Sequence, residues 1–409
     1  MSALDVDQVR KNFPALQRDF GGQPVVFADA PGGTQVPQTV VDAMTDYMVT
    51  SNANEQGAFT TSAETDSVID AARDAGADIL GCEPDEVVFG PNMTTLAFAL
   101  SRALARTLRS GDEVVVSRLD HDANIAPWVA AAEDAGARVK WIDFDPSDCT
   151  IDLESLDRAV SDRTRICAFT LASNAVGTVT PAADIVRRVR EACDALVIGD
   201  AVHYAPHRSI DVRDLDFDFL FCSPYKFWGP HLGVMYGKGS LLEEIRPYKV
   251  RPAPDEPPAC LQTGTRSHEA LAGLTACVDY IASLTDGEGP RRRRVTAALQ
   301  AIAEHEASLA RLFIGGVARR DGVMLYGIND AAKKHERTST FAIRIDREAP
   351  LASATRLGEE GIFVWHGNYY ALTVMERLGL EHSGGAVRIG FCHYHTPDEV
   401  DRVLDALRG

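Results

Sequence analysis

Three segments indicate the fold class of this 409-residue chain: Val197-Ile-Gly-Asp-Ala-Val-His203, Ser223-Pro-Tyr-Lys226 and Gly229-Pro230. Each of the first two segments closes or follows a short apolar run, which is typical of a buried strand. Ligands bind at the carboxyl ends of the strands in open α/β sheets. We therefore expect Asp200 and Lys226 at the edge of one shared site.

The same alternation of strand and helix extends through the first two thirds of the chain, which predicts an α/β fold with a mostly parallel sheet and helices on both faces. The predicted strands are 25–29, 86–89, 113–117, 139–144, 166–171, 196–199, 217–222 and 233–236. Two long helices, about 267–284 and 290–313, should follow. Strand patterns at 340–345, 362–365 and 386–391 then predict a smaller α+β domain.

Composition excludes several classes of protein. The formal net charge is −18, so nucleic acid and anionic membranes are unlikely binding partners. None of the eight cysteines forms a CxxC pair, and most lie in apolar runs, as free core thiols do. The chain shows no signal-peptide pattern and no apolar stretch of transmembrane length. The sequence therefore predicts a soluble, cytoplasmic protein with no metal site.

Polar residues that follow predicted strands are the candidates for chemistry. They are Asn92-Met93-Thr94, His121, Ser173-Asn174, Asp200, His203 and Ser223–Lys226. The absence of a GxGxxG loop argues against a nicotinamide enzyme. Aromatic and apolar neighbours should lower the pKa of Lys226, as a nucleophilic lysine requires. A buried Asp200 needs a positive partner, for which a protonated pyridine nitrogen is suitable.

The segments Gly199–His203, Ser223–Lys226 and Gly229-Pro230 resemble the pyridoxal phosphate (PLP) signature of the class V aminotransferase family. The similarity is strongest to its cysteine desulfurase-like branch, which includes isopenicillin N epimerase-like proteins. The resemblance implies a fold-type I PLP-dependent transferase with a seven-stranded type of sheet. It also implies an N-terminal arm, 1–19, that joins the small domain, a large PLP-binding domain, 20–285, and a small C-terminal domain, 286–409.

The resemblance further implies a role for each matching residue. Lys226 would be the Schiff-base lysine and the proton shuttle, and His121 would stack on the cofactor ring. The other cofactor contacts would be Asp200 at the pyridinium, His203 and Asn174 at the phenolic oxygen, and Met93, Thr94, Ser223 and Tyr225 at the phosphate.

Substrate and partner contacts are implied in the same way. Arg388 resembles the arginine that binds the substrate α-carboxylate, and Asn54 lies in a loop expected to line the substrate pocket. Thr265 resembles the threonine that reaches the phosphate of the neighbouring subunit. That match implies a homodimer with shared active sites.

The chain departs from the desulfurases at one position. Tyr370 stands where those enzymes carry a loop cysteine, and a phenol cannot form a persulfide. We therefore expect a lyase-type PLP enzyme that breaks a C–S bond of a small or sulfur-containing L-amino acid without a protein persulfide. Tyr370 would contribute a substrate contact, and Cys260 is the nearest substitute nucleophile. An aminotransferase, or an epimerase or decarboxylating enzyme of specialised metabolism, remains an alternative.

Overall fold

A seven-stranded sheet and a four-stranded sheet organise the chain, in a computed structural model that describes residues 4–407. A two-stranded hairpin precedes them. The strands are β1 Asp19–Phe20, β2 Gln23–Pro24, β3 Val87–Gly90, β4 Glu113–Ser117, β5 Arg138–Ile142, β6 Thr164–Thr170, β7 Leu196–Asp200, β8 Phe219–Cys222, β9 Gly233–Gly237, β10 Val323–Tyr326, β11 Thr340–Ile345, β12 Trp365–Gly367 and β13 Ala386–Gly390.

Helices cover both sheets. The α-helices are α1 Val6–Lys11, α2 Gln38–Thr50, α3 Thr60–Leu80, α4 Met93–Ala105, α5 Ala126–Ala135, α6 Leu153–Ala159, α7 Ala182–Ala192, α8 Gly239–Glu244, α9 His268–Ala282, α10 Arg291–Val317, α11 Pro350–Glu359, α12 Leu372–Arg377 and α13 Pro397–Ala406. Short 3₁₀ helices are Pro14–Gln17, Ala30–Gly32, Pro84–Glu86, Asp122–Asn124, Pro224–Lys226, Ala259–Leu261, Ala331–Glu336 and Glu381–Ser383.

The large sheet has the strand order β3-β9-β8-β7-β6-β4-β5. Strand β9 runs antiparallel to β3 and β8, and the remaining pairs are parallel. Strands β4, β8 and β9 are buried along their whole length because helices cover both faces, which explains their nearly continuous apolar sequences. The predicted α/β architecture with a mostly parallel sheet is confirmed, and the carboxyl ends of β6, β7 and β8 lie along one edge.

The small sheet has the order β10-β11-β13-β12 and is antiparallel throughout. Its core is aromatic: the ring of Phe313 on α10 lies 4.3 Å from Phe341 and 5.6 Å from Phe391. Helices α10 and α13 contact each other beside it. This unit is the expected smaller α+β part of the fold, whereas the domain boundaries at residues 19 and 285 stay predictions.

The N-terminal arm packs between the two sheets' helices and loops. Phe13 is fully buried, and its ring centroid lies 5.6 Å from Tyr280 on α9. The same ring lies 5.5 Å from His393 and 5.1 Å from Tyr394, which follow β13. The arm therefore ties the large-sheet part of the chain to the segment that leaves the small sheet.

Some elements differ from the sequence-based prediction. Residues 25–29 form isolated bridges, Val26 with Ile362 and Asp29 with Gly390, instead of a strand. Helix α2 was not predicted because only Val40 and Tyr47 on it are buried, which leaves a weak apolar pattern. Among residues 4–407, no helix has both the length and the apolar character needed to cross a bilayer.

Candidate active site

Two adjoining cavities open at the carboxyl edge of the large sheet. The inner cavity has a volume of about 80 Å³, and the outer cavity, of about 1510 Å³, extends toward the small sheet. His121, Asn174 and Lys226 line both. The predicted site residues that line the inner cavity are Met93, Thr94, His121, Asn174, Asp200, His203, Ser223, Tyr225 and Lys226. Arg388 and Tyr370 line the outer cavity.

Lys226 ends the 3₁₀ turn that follows β8. Its Nζ donates a hydrogen bond to the carbonyl oxygen of Pro31 and lies 5.0 Å from the centre of the Tyr225 ring. Burial first, and then the charge of Arg388, lowers the pKa of Lys226 to about 7, against the opposing charges of Asp200 and Asp29. About half of this amine is therefore neutral and nucleophilic at pH 7.

Asp200 is the last residue of β7, and its side chain is 3% exposed. One carboxylate oxygen accepts a hydrogen bond of 2.8 Å from the backbone N–H of Val202. Burial raises the pKa of Asp200 to about 6, against the opposing effects of that hydrogen bond and of Lys226. The group is mostly ionised at pH 7, so it supplies a buried negative charge suited to a cationic ring nitrogen.

His121 presents a neutral ring to both cavities. Its Nδ1 accepts a hydrogen bond of 3.0 Å from the N–H of Ala123, which places the ring proton on Nε2. Burial first, then the positive charges of Lys226 and Arg388, lowers its pKa to about 4. The Tyr370 ring stacks on it, with centroids 5.4 Å apart and planes at 22°.

His203 and Asn174 each leave one buried polar atom without a protein partner. The Nε2 of His203 lies 3.0 Å from Thr340 Oγ1 and 3.3 Å from Thr338 Oγ1, while its Nδ1 has no partner among the described residues. Asn174 donates through Nδ2 to the Tyr369 carbonyl at 2.9 Å, and its Oδ1 is likewise unpartnered within residues 4–407. Such atoms in a cavity wall indicate a polar ligand.

Helix α4 offers an anion site at its N-terminus. Asn92 caps the helix by accepting a hydrogen bond of 2.8 Å from the N–H of Thr95. Met93 and Thr94 lie in the first turn, where backbone N–H groups point out of the helix and the helix dipole favours negative charge. Ser223 is buried beside this turn in the inner cavity wall, and Tyr225 stacks on His231 at 5.0 Å.

Arg388 projects from the middle of β13 and is 5% exposed. Its Nη1 donates to the Asn174 carbonyl at 2.9 Å, and its guanidinium lies 4.4 Å from the centre of the Tyr369 ring. Burial lowers its pKa to about 10, so it stays cationic at pH 7. Its Nε has no partner within residues 4–407, which leaves a donor for an incoming carboxylate.

Two residues beside Arg388 were missed by the sequence analysis. Burial raises the pKa of Asp29 to about 6, opposed by the Arg388 and Lys226 charges, and its Oδ1 is buried without a partner among the described residues. Asp29 ends an apolar run, so the rule that selected Asp200 would have selected it too. Tyr369, whose hydroxyl donates to the Ala386 carbonyl, carries no comparable signal in the sequence.

The loop that carries Tyr370 is hydrogen-bonded to the large-sheet side of the site. The Asp122 N–H donates to the Tyr370 carbonyl at 2.7 Å, next to the Asn174–Tyr369 bond. Tyr369 and Tyr370 both have left-handed backbone conformations, with φ of 54° and 58°. The Tyr370 side chain is 73% exposed at the outer cavity. The loop therefore forms a fixed wall of the site.

Asn54 and Thr265 are the two predicted residues that the structure does not bring into either cavity of this chain. Both are exposed. Their loops lie together, because Glu55 and Arg266 form an ion pair between them. Their predicted roles at the substrate and at a phosphate stay predictions.

The residues that line the inner cavity fit PLP. They combine an amine with a lowered pKa, a buried carboxylate, a neutral aromatic ring and a helix N-terminus, which match the aldehyde, ring nitrogen, ring face and phosphate of that cofactor. The unpartnered atoms of His203 and Asn174 leave places for its phenolic oxygen.

Comparisons with known proteins place the chain in a family. The family model described as aminotransferase class-V matches residues 26–403. An aminotransferase-like protein of Gibberella zeae is 30% identical over 99% of this chain and 98% of its own length. The solved structure of a cysteine desulfurase from Escherichia coli has a TM-score of 0.85, 26% identity, and coverage of 99% of this chain and 98% of its own.

A further solved structure, a C-DES mutant with glycine covalently linked to the PLP cofactor, has a TM-score of 0.80 at 18% identity. It covers 97% of this chain and 98% of its own, and at this identity it supports the fold. The matched family model spans nearly the whole chain, including every residue placed in the two cavities. The chain is a PLP-dependent enzyme and belongs to the class V aminotransferase family, among its cysteine desulfurase-like members.

Proposed function

We propose that this enzyme is a lyase that breaks the Cβ–S bond of a small or sulfur-containing L-amino acid without forming a protein persulfide. One observation carries the proposal: Tyr370 occupies the loop at the outer cavity, and that loop is hydrogen-bonded in place. No cysteine lines either cavity in the part of the chain that the structure describes. This supports a C–S cleavage in which the sulfur leaves on the product instead of on the enzyme.

The cofactor, when bound, supplies the electron sink that makes the substrate α-proton acidic. Arg388 binds the α-carboxylate through charge-assisted hydrogen bonds and fixes the orientation of the α-carbon. Lys226, whose amine is near half-neutral at pH 7, removes the α-proton and returns a proton later in the cycle. Neutral His121 covers the ring face without adding a competing charge.

Incubation with a panel of L-amino acids tests this function. Equal amounts of keto acid, ammonia and a thiol, with the cofactor recovered unchanged, are the expected result. Keto acid with the cofactor converted to its amine form would show an aminotransferase. A D-isomer or carbon dioxide would show an epimerase or a decarboxylating enzyme, and either outcome would replace the lyase proposal.

Turnover of L-cysteine should leave every thiol of the protein unmodified. Cys260 is 3% exposed within an apolar cluster, and burial raises the pKa of its thiol, so little thiolate is available. Intact-protein mass spectrometry after turnover should show no added sulfur atom. A persulfide located at Cys260 by peptide mapping would contradict the proposal, and a Cys260→Ser variant then serves as its control.

The pH dependence of covalent cofactor capture by the apo-protein should follow the lowered pKa of Lys226. Because that pKa is about 7, the amine is an unreactive ammonium below it and a free amine above it. Covalent capture, trapped with borohydride and located by peptide mass spectrometry, should rise from about pH 6 and level off near about pH 8. Capture that continues to rise above about pH 9, as at an ordinary lysine, would refute the assignment.

We further propose a cytoplasmic homodimer with shared active sites. The exposed loops of Asn54 and Thr265 are joined by the Glu55–Arg266 ion pair, and exposed Phe59 follows the first of them. All eight cysteines are free thiols, which suits a reducing compartment. The Thr265→Ala and Lys226→Ala proteins, each inactive alone, should regain activity when they are mixed, because a hybrid dimer contains one shared site with both residues intact. If both variants are inactive and the mixture regains no activity, the sites are not shared.

A further inference from the structure

Large apolar side chains stand exposed along one wall of the outer cavity. Leu351, Trp365 and Tyr370 are 59%, 50% and 73% exposed, and all three belong to the small-sheet side of the site. Phe98 on α4, 39% exposed, lines the cavity from the large-sheet side. Such a concentration of exposed apolar surface beside a catalytic group indicates a site for an apolar ligand.

The same cavity contains the reacting groups. Lys226 and Arg388 also line it, so an amino acid held by its carboxylate at Arg388 would share this cavity with the apolar wall. In the single chain this cavity has a volume of about 1510 Å³, above the roughly 300–1,000 Å³ typical of small-ligand sites, so it has room for a side chain larger than that of cysteine. Unsubstituted cysteine would leave most of that wall in water.

Once the substrate carboxylate occupies Arg388 and the cofactor occupies Lys226, the outer cavity keeps two carboxyl groups against one cation. Asp122 and Glu381 both line it, with Arg102 as a further charged side chain besides Lys226 and Arg388. Asn368 holds Glu381 through a hydrogen bond of 3.1 Å. An anionic substituent would meet these two carboxyl groups, whereas a neutral ring would meet the aromatic wall.

We propose that the substrate is an S-substituted L-cysteine whose sulfur carries a neutral, apolar, preferentially aromatic substituent that packs on Trp365, Tyr370 and Leu351. The proposal rests on the C–S lyase function above and names its substrate class. Lys226 removes the α-proton, and the Cβ–S electron pair leaves with the sulfur, which takes a proton and departs as a thiol. Water then hydrolyses the remaining enamine, so one substituted cysteine and one water yield one thiol, one pyruvate and one ammonia, with no oxidant or reductant.

Kinetics with S-benzyl-L-cysteine and S-methyl-L-cysteine test the substrate class on the holoenzyme. Burial of the phenyl ring should raise kcat/KM for the benzyl compound about 10- to 100-fold over the methyl compound. Trp365→Ala should reduce that ratio about tenfold. Leu351→Ala, at an exposed position that tolerates truncation, should reduce it in the same direction. Met324→Ala is the matched control: Met324 is 55% exposed but lies outside both cavities, so the ratio should not change.

A binding measurement separates recognition from turnover. Calorimetric titration of the PLP-loaded Lys226→Ala protein should give a lower Kd for the benzyl than for the methyl compound, and Leu351→Ala added to it should narrow the difference. Equal kcat/KM and equal Kd for the two compounds, with thiol still released from both, would overturn the substrate class and leave the lyase function standing. Release of no thiol from any sulfur amino acid would overturn both.

Discussion

Lys226→Ala is expected to lower kcat/KM by at least about 10³-fold, because one side chain provides both the covalent attachment of the cofactor and the proton transfer at the α-carbon. The amine is neutral enough to act at pH 7 because burial lowers its pKa to about 7. The variant should also lose the borohydride-reducible link between protein and cofactor. Steady-state kinetics and the mass of the reduced protein measure the two effects.

A matched control shows whether the effect depends on the position of the lysine or on the loss of any lysine. Lys238 lies just after β9 and pairs with Asp216 on the surface, so Lys238→Ala should keep both activity and the reducible link. Should Lys226→Ala keep the link, another amine must hold the cofactor. That result would contradict the placement of the reacting lysine after β8.

Arg388→Gln is expected to lower kcat/KM about 10- to 100-fold, mainly through a higher KM, since a hydrogen bond to a charged group contributes about 1.5–3 kcal/mol. Arg388→Lys should fall between this variant and the wild type, because an ammonium keeps the charge but loses the two-pronged geometry. Steady-state kinetics over a range of substrate concentrations separate the effect on KM from the effect on kcat.

The control for this prediction is Arg311→Gln, an exposed position on α10, which should leave both constants unchanged. Thermal unfolding of each variant shows whether removal of the buried guanidinium has altered the fold. A folded Arg388→Gln protein with wild-type KM and a lower kcat would contradict carboxylate binding and would place Arg388 in the chemical step instead.

The fold could be predicted where both faces of an element are covered. Strands β4 and β8 are buried from end to end, and a strand buried on both faces has a nearly continuous apolar sequence that can be recognised. Edge and surface elements lack that signature: β10 has exposed Met324, and α2 buries only Val40 and Tyr47. Their formation depends on tertiary contacts that local pattern does not report.

The site could be predicted to the extent that parallel strands bring their carboxyl ends together. Asp200 ends β7 and Lys226 follows the neighbouring strand β8, and both line the inner cavity. Tyr369 reaches the site only because the small sheet folds against the large one, which places its ring 4.4 Å from the Arg388 guanidinium. That arrangement is a property of packing between the sheets, which no local sequence rule expresses.

The proposed cleavage without a protein persulfide is tested most directly by turnover of S-methyl-L-cysteine, whose alkylated sulfur cannot be transferred as a persulfide. We predict methanethiol, pyruvate and ammonia in equal amounts, with the mass of the protein unchanged. Two results together would contradict the account. S-Methyl-L-cysteine would release no methanethiol, and L-cysteine would give alanine and a sulfur atom bound to the protein.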